Sequence, residues 1–435
     1  MWYDDNIETE VTRVKRALVL CGGGSRGAYE IGAWQALREL GVPLSGVYGT
    51  SIGALNAALV ARGDVEAARK LWLNISISRI MTVEDPDDFA IDRMVSNKRD
   101  VLPFLVENAK HLRMDITPLE QLVRQECDEP RVRAGGMDLG VMTFKAPQMQ
   151  GHPVYLRDMK PGMLSDWVIA SASCFPLFPA KHIDGQRYID GGYCDNLPLD
   201  MALNDGADEI VAVELHPYLT HPEYARLPWL KVVRPRHNLG GFLDFNPKLM
   251  ARNLRMGYQD AMKLYRRFDG FLYTFKQVDA LALADRARRY LGLLTRFDAE
   301  FMGRGALRTG QPVNAPLLSA LESETEYVRL DWKDVWLRGL ELCAEVMGYR
   351  EDAIYDADQL IRQIRRYCDG ATLPDRLDEA ALHTAWKQGA RQTFALLTRW
   401  LLSRGDFPKE LQRRLGELPK ETAAAMFMHT VDVTA

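Results

Sequence analysis

A chain of 435 residues exceeds what one compact core usually holds, so two domains are expected. Hydrophobic residues make up 47%, an ordinary share for a water-soluble fold, and no apolar run is long enough to span a bilayer. A net charge of −4 excludes a global attraction to nucleic acid, and any attraction to a membrane must come from a local patch.

Met1 to Arg16 is rich in acids and lacks the apolar core of a signal peptide. The six cysteines (Cys21, Cys127, Cys174, Cys194, Cys343, Cys368) are scattered, with no C-x-x-C pair and no metal-like spacing. Several lie in apolar segments and read as buried thiols of a reducing compartment. A cytoplasmic protein with neither metal nor cofactor is expected. Residues 1–15 form a polar lead-in.

Ala17-Leu18-Val19-Leu20-Cys21 is a continuous apolar run, fit for a central strand buried on both faces. It runs straight into Gly22-Gly23-Gly24-Ser25-Arg26-Gly27. Ala28 to Leu40 then places Tyr29, Ile31, Ala33, Trp34, Ala36, Leu37 and Leu40 at helical spacing, with Gly41 as a natural stop. A second short strand follows and breaks into Gly49-Thr50-Ser51-Ile52-Gly53. This is a βαβ unit and predicts parallel strands joined by a right-handed crossover.

Gly-x-Ser-x-Gly suits a strand that turns sharply into a helix. The two backbones come close near the apex, side chains at Gly49 and Gly53 would collide, and Ser51 stays exposed at the positive end of the helix. An ordinary strand–helix turn can carry the same pentapeptide. The glycine loop also has two readings. Gly22, Gly24 and Gly27 satisfy G-x-G-x-x-G, the dinucleotide fingerprint, but the second strand ends in Tyr48-Gly49-Thr50-Ser51 without the acid that should hold a ribose. The other use of such a loop is to aim unobstructed backbone N–H groups at an oxyanion. Loop and serine end neighbouring strands, so both open on one sheet edge.

Ile52 to Arg62 continues as a nearly uncharged helix that should be buried, and Asp64 reads as the N-cap of another helix through Leu73. Asn74 to Leu112, broken by Pro86 and Pro103, receives no assignment. Thr117-Pro118-Leu119-Glu120 is a capping box with proline at the first helical position. Leu139 to Phe144 and Val154 to Leu156 are strand candidates. Leu164 to Ser173 is helix-like; its Ser171 and Ser173 lack flanking glycines, and small residues there more often allow close packing. Arg187-Tyr188-Ile189-Asp190-Gly191-Gly192 is a strand ending in an acid followed by two glycines, which fits either a plain Asp-Gly turn or a carboxylate held uncrowded at a strand end. Asp195 and Asn196 cap the next helix or stiffen the loop, and Glu209 to Glu214 is another buried strand.

Three motifs in this order, Gly22 to Gly27, Gly49 to Gly53 and Asp190-Gly191-Gly192, resemble the patatin-like phospholipase family over roughly residues 16–216. The resemblance implies an α/β fold, a patatin-like three-layer domain with a central mostly parallel sheet. It further implies a dyad in which Ser51 is the nucleophile and Asp190 its partner. The amides of Gly22, Gly23, Gly24, Ser25 and Arg26 are implied as the oxyanion hole, with Gly27, Gly49, Gly53, Gly191 and Gly192 supporting the motifs. The substrate would be a lipid or other acyl ester, of a kind the resemblance does not fix.

The residues agree with this independently. A serine hydroxyl needs a base within hydrogen-bond reach, and none of the eight histidines sits in a suggestive motif. His152 and His182 fall inside the domain and stay open as bases; His111, His216, His221 and His237 flank turns, and His383 and His429 lie further on.

After residue 216 the character changes. Residues 217–275 read as a connecting segment whose helix from Asn246-Pro247 to Phe268 carries Lys248, Arg252, Arg255, Gln259, Lys263 and Arg266 on one face. Met250, Leu254, Tyr258, Ala261, Leu264, Tyr265 and Phe268 fall on the other. A basic amphipathic helix can make peripheral membrane contact, although docking on a core is the commoner arrangement. Residues 276–435 read as a mainly helical domain, with helices at Ala280 to Tyr290, Thr325 to Met347, Ala357 to Tyr367, Asp378 to Leu402 and Lys409 to Met428. Gly303 to Pro316 and Asp369 to Pro374 are expected as linkers. A lid, a regulatory module or a homo-oligomer contact suits that half better than a second enzyme. The expectation is a serine acyl hydrolase; its rivals are a nucleotide-binding module built on the Gly22 to Gly27 loop and a catalytically idle patatin-like interaction protein.

Overall fold

Ala17 to Leu20 are almost wholly inaccessible, as an uninterrupted apolar strand requires. They belong to β1 (Arg16–Leu20), at the middle of the sheet in the first of two compact units, Met1–Leu264 and Tyr265–Ala435. The computed structural model describes residues 14–82, 114–146, 148–224, 226–309, 315–322 and 330–431. Most of the N-terminal lead-in, and Pro86, Pro103 and His111, lie outside these residues.

The other strands of the first unit are β2 (Gly46–Thr50), β3 (Asp138–Lys145), β4 (Gln150–Tyr155), β5 (Lys181–Ile183), β6 (Gln186–Asp190), β7 (Glu209–Val213) and β8 (Leu230–Val233). Among the described residues the eight form one sheet in the order β5-β6-β3-β2-β1-β7-β8, with β4 also paired to β3. β3, β2, β1, β7 and β8 run parallel; β4, β5 and β6 are antiparallel to their neighbours. The register sets Leu20 of β1 beside Gly49 of β2 and Val213 of β7, so the segments that follow these strands all open on one edge. His152 and His182 lie on β4 and β5.

Eight helices accompany this sheet among the described residues: α1 (Ala28–Glu39), α2 (Ile52–Arg62), α3 (Val65–Asn74), α4 (Thr117–Glu126), α5 (Glu129–Ala134), α6 (Leu164–Ser171), α7 (Leu199–Asn204) and α8 (Pro247–Leu264). Asp64 caps α3 by accepting from the Ala67 amide at 3.0 Å. Thr117 is not itself the cap of α4: Asp115 accepts both its amide, at 3.0 Å, and its hydroxyl, at 2.6 Å.

The amphipathic helix α8 packs on α1. A Cβ at Gly32 would stand 2.0 Å from the Leu254 carbonyl oxygen, and one at Gly257 1.9 Å from that of Tyr29, so the two backbones touch through paired glycines. Met250, Leu254, Ala261 and Met262 are buried, and so is Gln259, which periodicity alone places on the basic face.

The second unit contains α9 (Ala280–Thr309), α10 (Pro316–Glu322), α11 (Trp332–Met347), α12 (Ala357–Asp369), α13 (Glu379–Gln388), α14 (Ala390–Arg404), α15 (Gln412–Gly416) and α16 (Pro419–Thr430) around their own apolar core. A small sheet of β9 (Phe268–Asp269), β10 (Thr274–Lys276) and β11 (Ile354–Tyr355) joins them. The buried Glu341 carboxylate accepts the amides of Phe271, Leu272 and Tyr273 at 2.5, 2.9 and 3.1 Å, and pairs with Arg338 at 2.5 Å. A buried charge held this way has its lone pairs satisfied. Among the described residues, no helix of the chain is long and apolar enough to cross a membrane.

Candidate active site

β2 ends at Thr50 and α2 starts at Ile52, so the whole direction change falls on Ser51. Its backbone sits at φ 55 and ψ −122, where a side chain is strained. The close approach expected of the flanking glycines is present. A Cβ on Gly49 would lie 2.2 Å from the Gly53 carbonyl oxygen, and one on Gly53 2.6 Å from that of Leu20.

The strained apex is held by a side chain from elsewhere in the fold. The Ser51 amide donates to Ser171 Oγ at 2.8 Å, and that hydroxyl donates onward to the Met142 carbonyl at 2.6 Å. Ser171, at the last turn of α6, is therefore a positioning residue, tying the serine backbone to β3. Ser173, just past the end of α6, is engaged with that helix, its hydroxyl donating to the Ile169 carbonyl at 2.8 Å. Ser171→Ala takes from the buried Ser51 N–H its side-chain acceptor, which costs about 1–3 kcal/mol of stability. Loss of the anchor is expected to lower kcat by roughly 10-fold, since a small misplacement of a reacting group is costly, with KM little changed. An unaltered kcat in the folded variant would show that the elbow holds itself.

Asp190 arrives at the same place from β6. Ser51 Oγ donates to Asp190 Oδ2 at 2.7 Å, and the Gly192 amide donates to the other carboxylate oxygen at 2.8 Å. The Asp190 amide donates to the Ser173 carbonyl at 2.9 Å, fixing the strand end. Gly191 is needed because a Cβ there would lie 2.3 Å from the Met142 carbonyl oxygen. Burial raises the Asp190 carboxyl to about 6; its hydrogen bonds from Ser51 and Gly192 oppose that rise. Among the described residues, no histidine hydrogen-bonds Ser51 or Asp190.

The glycine loop lies alongside. A Cβ added to Gly22 would stand 3.2 Å from Ser51 Cβ and 2.4 Å from Asn196 Oδ1. Within the loop the amides divide into two groups. The Gly22 amide donates to the Asn196 carbonyl at 3.0 Å, that of Ser25 to the Phe242 carbonyl at 2.9 Å, and that of Arg26 to the Gly23 carbonyl at 3.4 Å. The amides of Gly23 and Gly24 have no hydrogen-bond partner among the described residues. Of the five amides in the expected oxyanion hole, these two are available to a ligand. Gly27 closes the loop onto α2: its carbonyl accepts from Asn56 Nδ2 at 2.9 Å, and Asn56 Oδ1 accepts from Trp72 Nε1 at 2.9 Å.

The loop is fastened from outside by residues that gave no sequence signal. Ser25 Oγ donates to the Gly241 carbonyl at 2.7 Å and Arg26 Nε to the Gly240 carbonyl at 3.0 Å. Asn196, expected only to cap or stiffen, also donates from Nδ2 to the Gly22 carbonyl at 3.0 Å. Asp195 stiffens its loop by accepting the Leu197 amide at 3.1 Å.

A mostly parallel α/β sheet with an elbow serine, a strand-end carboxylate and a glycine loop on one edge defines the class of domain. Residues 18–203 match the family model of patatin-like phospholipase, and that stretch is a domain of this kind. The chain is similar to patatin-like phospholipase domain-containing protein 7 of Rattus norvegicus, 28% identical over 207 residues that cover 46% of this chain and 13% of the rat protein. It is also similar to lysophospholipase NTE1 of Coccidioides immitis, 28% identical over 308 residues, or 68% of this chain and 18% of that one. The matches thus span less than a fifth of these relatives' own length. Among solved structures, the crystal structure of VipD from Legionella pneumophila aligns with a TM-score of 0.40 at 14% identity, covering 96% of this chain and 90% of that one.

Proposed function

We propose that the protein is a serine acyl hydrolase acting on carboxylic esters of lipids, of the phospholipase or lysophospholipase kind, through an acyl-enzyme on Ser51. The observation that carries this reading is the 2.7 Å hydrogen bond from Ser51 Oγ to Asp190 Oδ2 at a strained strand–helix turn. The rat relative's name reads phospholipase and the fungal relative's lysophospholipase, and this supports lipid esters as the substrate class.

In this mechanism Asp190 takes the hydroxyl proton as Ser51 Oγ attacks the ester carbonyl carbon. The carbonyl oxygen becomes an oxyanion within reach of the Gly23 and Gly24 amides, near the positive end of α2. Collapse of the tetrahedral intermediate breaks the ester C–O bond, and the leaving alcohol takes the proton from Asp190. Water then attacks the acyl-enzyme with Asp190 again as base, releasing the fatty acid and restoring the serine. Burial serves this cycle. A carboxyl raised to about 6 is ionised at neutral pH yet a stronger base than an ordinary aspartate.

A fluorophosphonate probe tests the proposal. The expected result is one covalent adduct, mapped by mass spectrometry to the peptide carrying Ser51, with loss of activity toward lysophospholipid and short-chain aryl esters. An unlabelled, folded protein, or an adduct on a different serine, would overturn it.

A further inference from the structure

β1 and β7 are adjacent and parallel, with Leu20 opposite Val213, so the residues that follow them, Cys21 and Glu214, emerge side by side. His216 lies two residues beyond Glu214. One ligand atom from each, the Cys21 sulfur, a Glu214 carboxylate oxygen and a His216 ring nitrogen, lie within 4.8 Å of one another. Cys21 and Glu214 are buried, and His216 lies at the rim.

The surroundings of this cluster supply hydrogen-bond donors. The Thr220 amide and hydroxyl donate to the two Glu214 oxygens at 2.6 and 2.8 Å. Asn196 Nδ2 donates to the Cys21 sulfur at 3.1 Å, and the Leu215 amide also donates to it. Among the described residues, the ion-pair partner of Glu214 is His216, at 3.7 Å, and that pair is charged only if the imidazole is protonated. His216 Nδ1 is buried without a hydrogen-bond partner, while its ring stacks on Tyr218. The carboxylates that act on Cys21 electrostatically, Glu214 and Glu30, both disfavour a thiolate left alone.

We propose that Cys21, Glu214 and His216 form a binding site for a thiophilic divalent cation of the zinc class, directly behind the glycine loop. Sulfur, imidazole nitrogen and carboxylate oxygen are the donor set that zinc takes, at about 2.3, 2.0 and 2.1 Å, so the three atoms draw together by roughly 1 Å around the ion. A thiolate and a carboxylate carry two negative charges against two positive ones. Binding therefore releases the thiol proton to solvent, and the ion neutralises the new thiolate together with the buried carboxylate. The donors on Cys21 and Glu214 orient the ligands as outer-shell partners do in metal sites. Three protein ligands leave a fourth position for water. Because Asn196 bridges Cys21 and the Gly22 carbonyl, the ion would stiffen the base of the loop. The site stands on geometry alone and holds whether or not Ser51 is a nucleophile.

The spacing of the ligands explains why the sequence hides this site: strand pairing, not local sequence, brings Cys21 to Glu214.

Cobalt(II) added to the chelator-treated 435-residue chain tests it, with absorbance followed in the visible and near ultraviolet. The expected result is a thiolate-to-cobalt charge-transfer band that saturates at one equivalent and is abolished by added zinc. Cys21→Ser should remove the band. His216→Ala, at the rim and so least disruptive to the fold, should weaken cobalt binding at least about 10-fold, the lower end of what lost metal-site partners cost. Cys194→Ser, which removes the exposed thiol, should leave the band intact. A wild type that gives no charge-transfer band, unchanged affinity in His216→Ala, or a band that follows Cys194 instead of Cys21, would each overturn the site. Fluorophosphonate labelling measured on the same samples reports the serine independently.

Discussion

Ser51→Ala is expected to abolish ester hydrolysis and probe labelling in a protein that still folds, and Asp190→Asn to lower kcat/KM by about two to four powers of ten. The first change deletes one oxygen and leaves the elbow anchored, because Ser171 binds the Ser51 amide and not its hydroxyl. The second keeps the shape of the side chain but removes the carboxylate that accepts from the Ser51 hydroxyl at 2.7 Å. Substantial turnover in either folded variant would sink the dyad. The same carboxyl sets the pH profile. Since the base must be ionised, kcat/KM should rise about tenfold per pH unit below about 6 and level off above it.

Stability should respond with the opposite sense. Asp190 titrates at about 6 in the fold against an ordinary 3.8, so within that window the native state binds more protons than the unfolded chain. Its contribution is fully present below 3.8 and is lost as pH rises through about 6. Asp190→Asn, which carries no charge to bury, should be the more stable protein at pH 8 by up to about 3 kcal/mol, with no advantage at about pH 3. Thermal unfolding of both proteins at the two pH values measures this directly. A site that costs stability and confers reactivity is the usual trade at a functional centre.

Much of this site was legible because its parts are local. An unbroken apolar run and a run of glycines define β1 and its loop, and an apolar strand closed by Gly-x-Ser-x-Gly defines the elbow. Asp190 could be read as a strand-end acid, yet its pairing with Ser51 depends on β6 joining β3 antiparallel, which no local pattern announces. Ser171 offered a hydroxyl without glycines and so no reason to be singled out; its role comes from where α6 ends against β3. The loop's outer fastening by Gly240, Gly241 and Phe242 is likewise a tertiary event. In the second unit the periodicity located helices better than it bounded them. α9 runs on to Thr309, through the expected linker at Gly303. Ala287, Tyr290, Leu294 and Phe297 bury its earlier turns, and extension from a formed helix needs only one bond per added residue, so a glycine costing about 1 kcal/mol does not stop it. The segment expected as one helix from Asp378 to Leu402 breaks instead at Gly389, whose φ of 112 no helix contains.

Gly24→Ala should reduce turnover by about 100-fold or more, the size of effect seen when one oxyanion donor is lost. Gly24 has a φ of 61, and a Cβ there would meet the Phe242 carbonyl oxygen at 2.2 Å. That carbonyl is the acceptor for the Ser25 amide, so the clash cannot be relieved by a side chain turning aside. The peptide must move, and with it the Gly23 and Gly24 amides, which have no partner among the described residues. Backbone strain alone is controlled by Gly63→Ala. Gly63 has a φ of 81 with nothing within 4 Å of the added carbon, so this variant bears the left-handed penalty of about 1–2 kcal/mol without a collision. Melting temperatures of the two variants separate loss of fold from loss of function. Slow turnover in Gly24→Ala beside near-normal turnover in Gly63→Ala, at comparable melting temperatures, is the outcome that assigns the amides to the oxyanion. Near-normal turnover in a folded Gly24→Ala would mean that the developing charge is held elsewhere on this sheet edge.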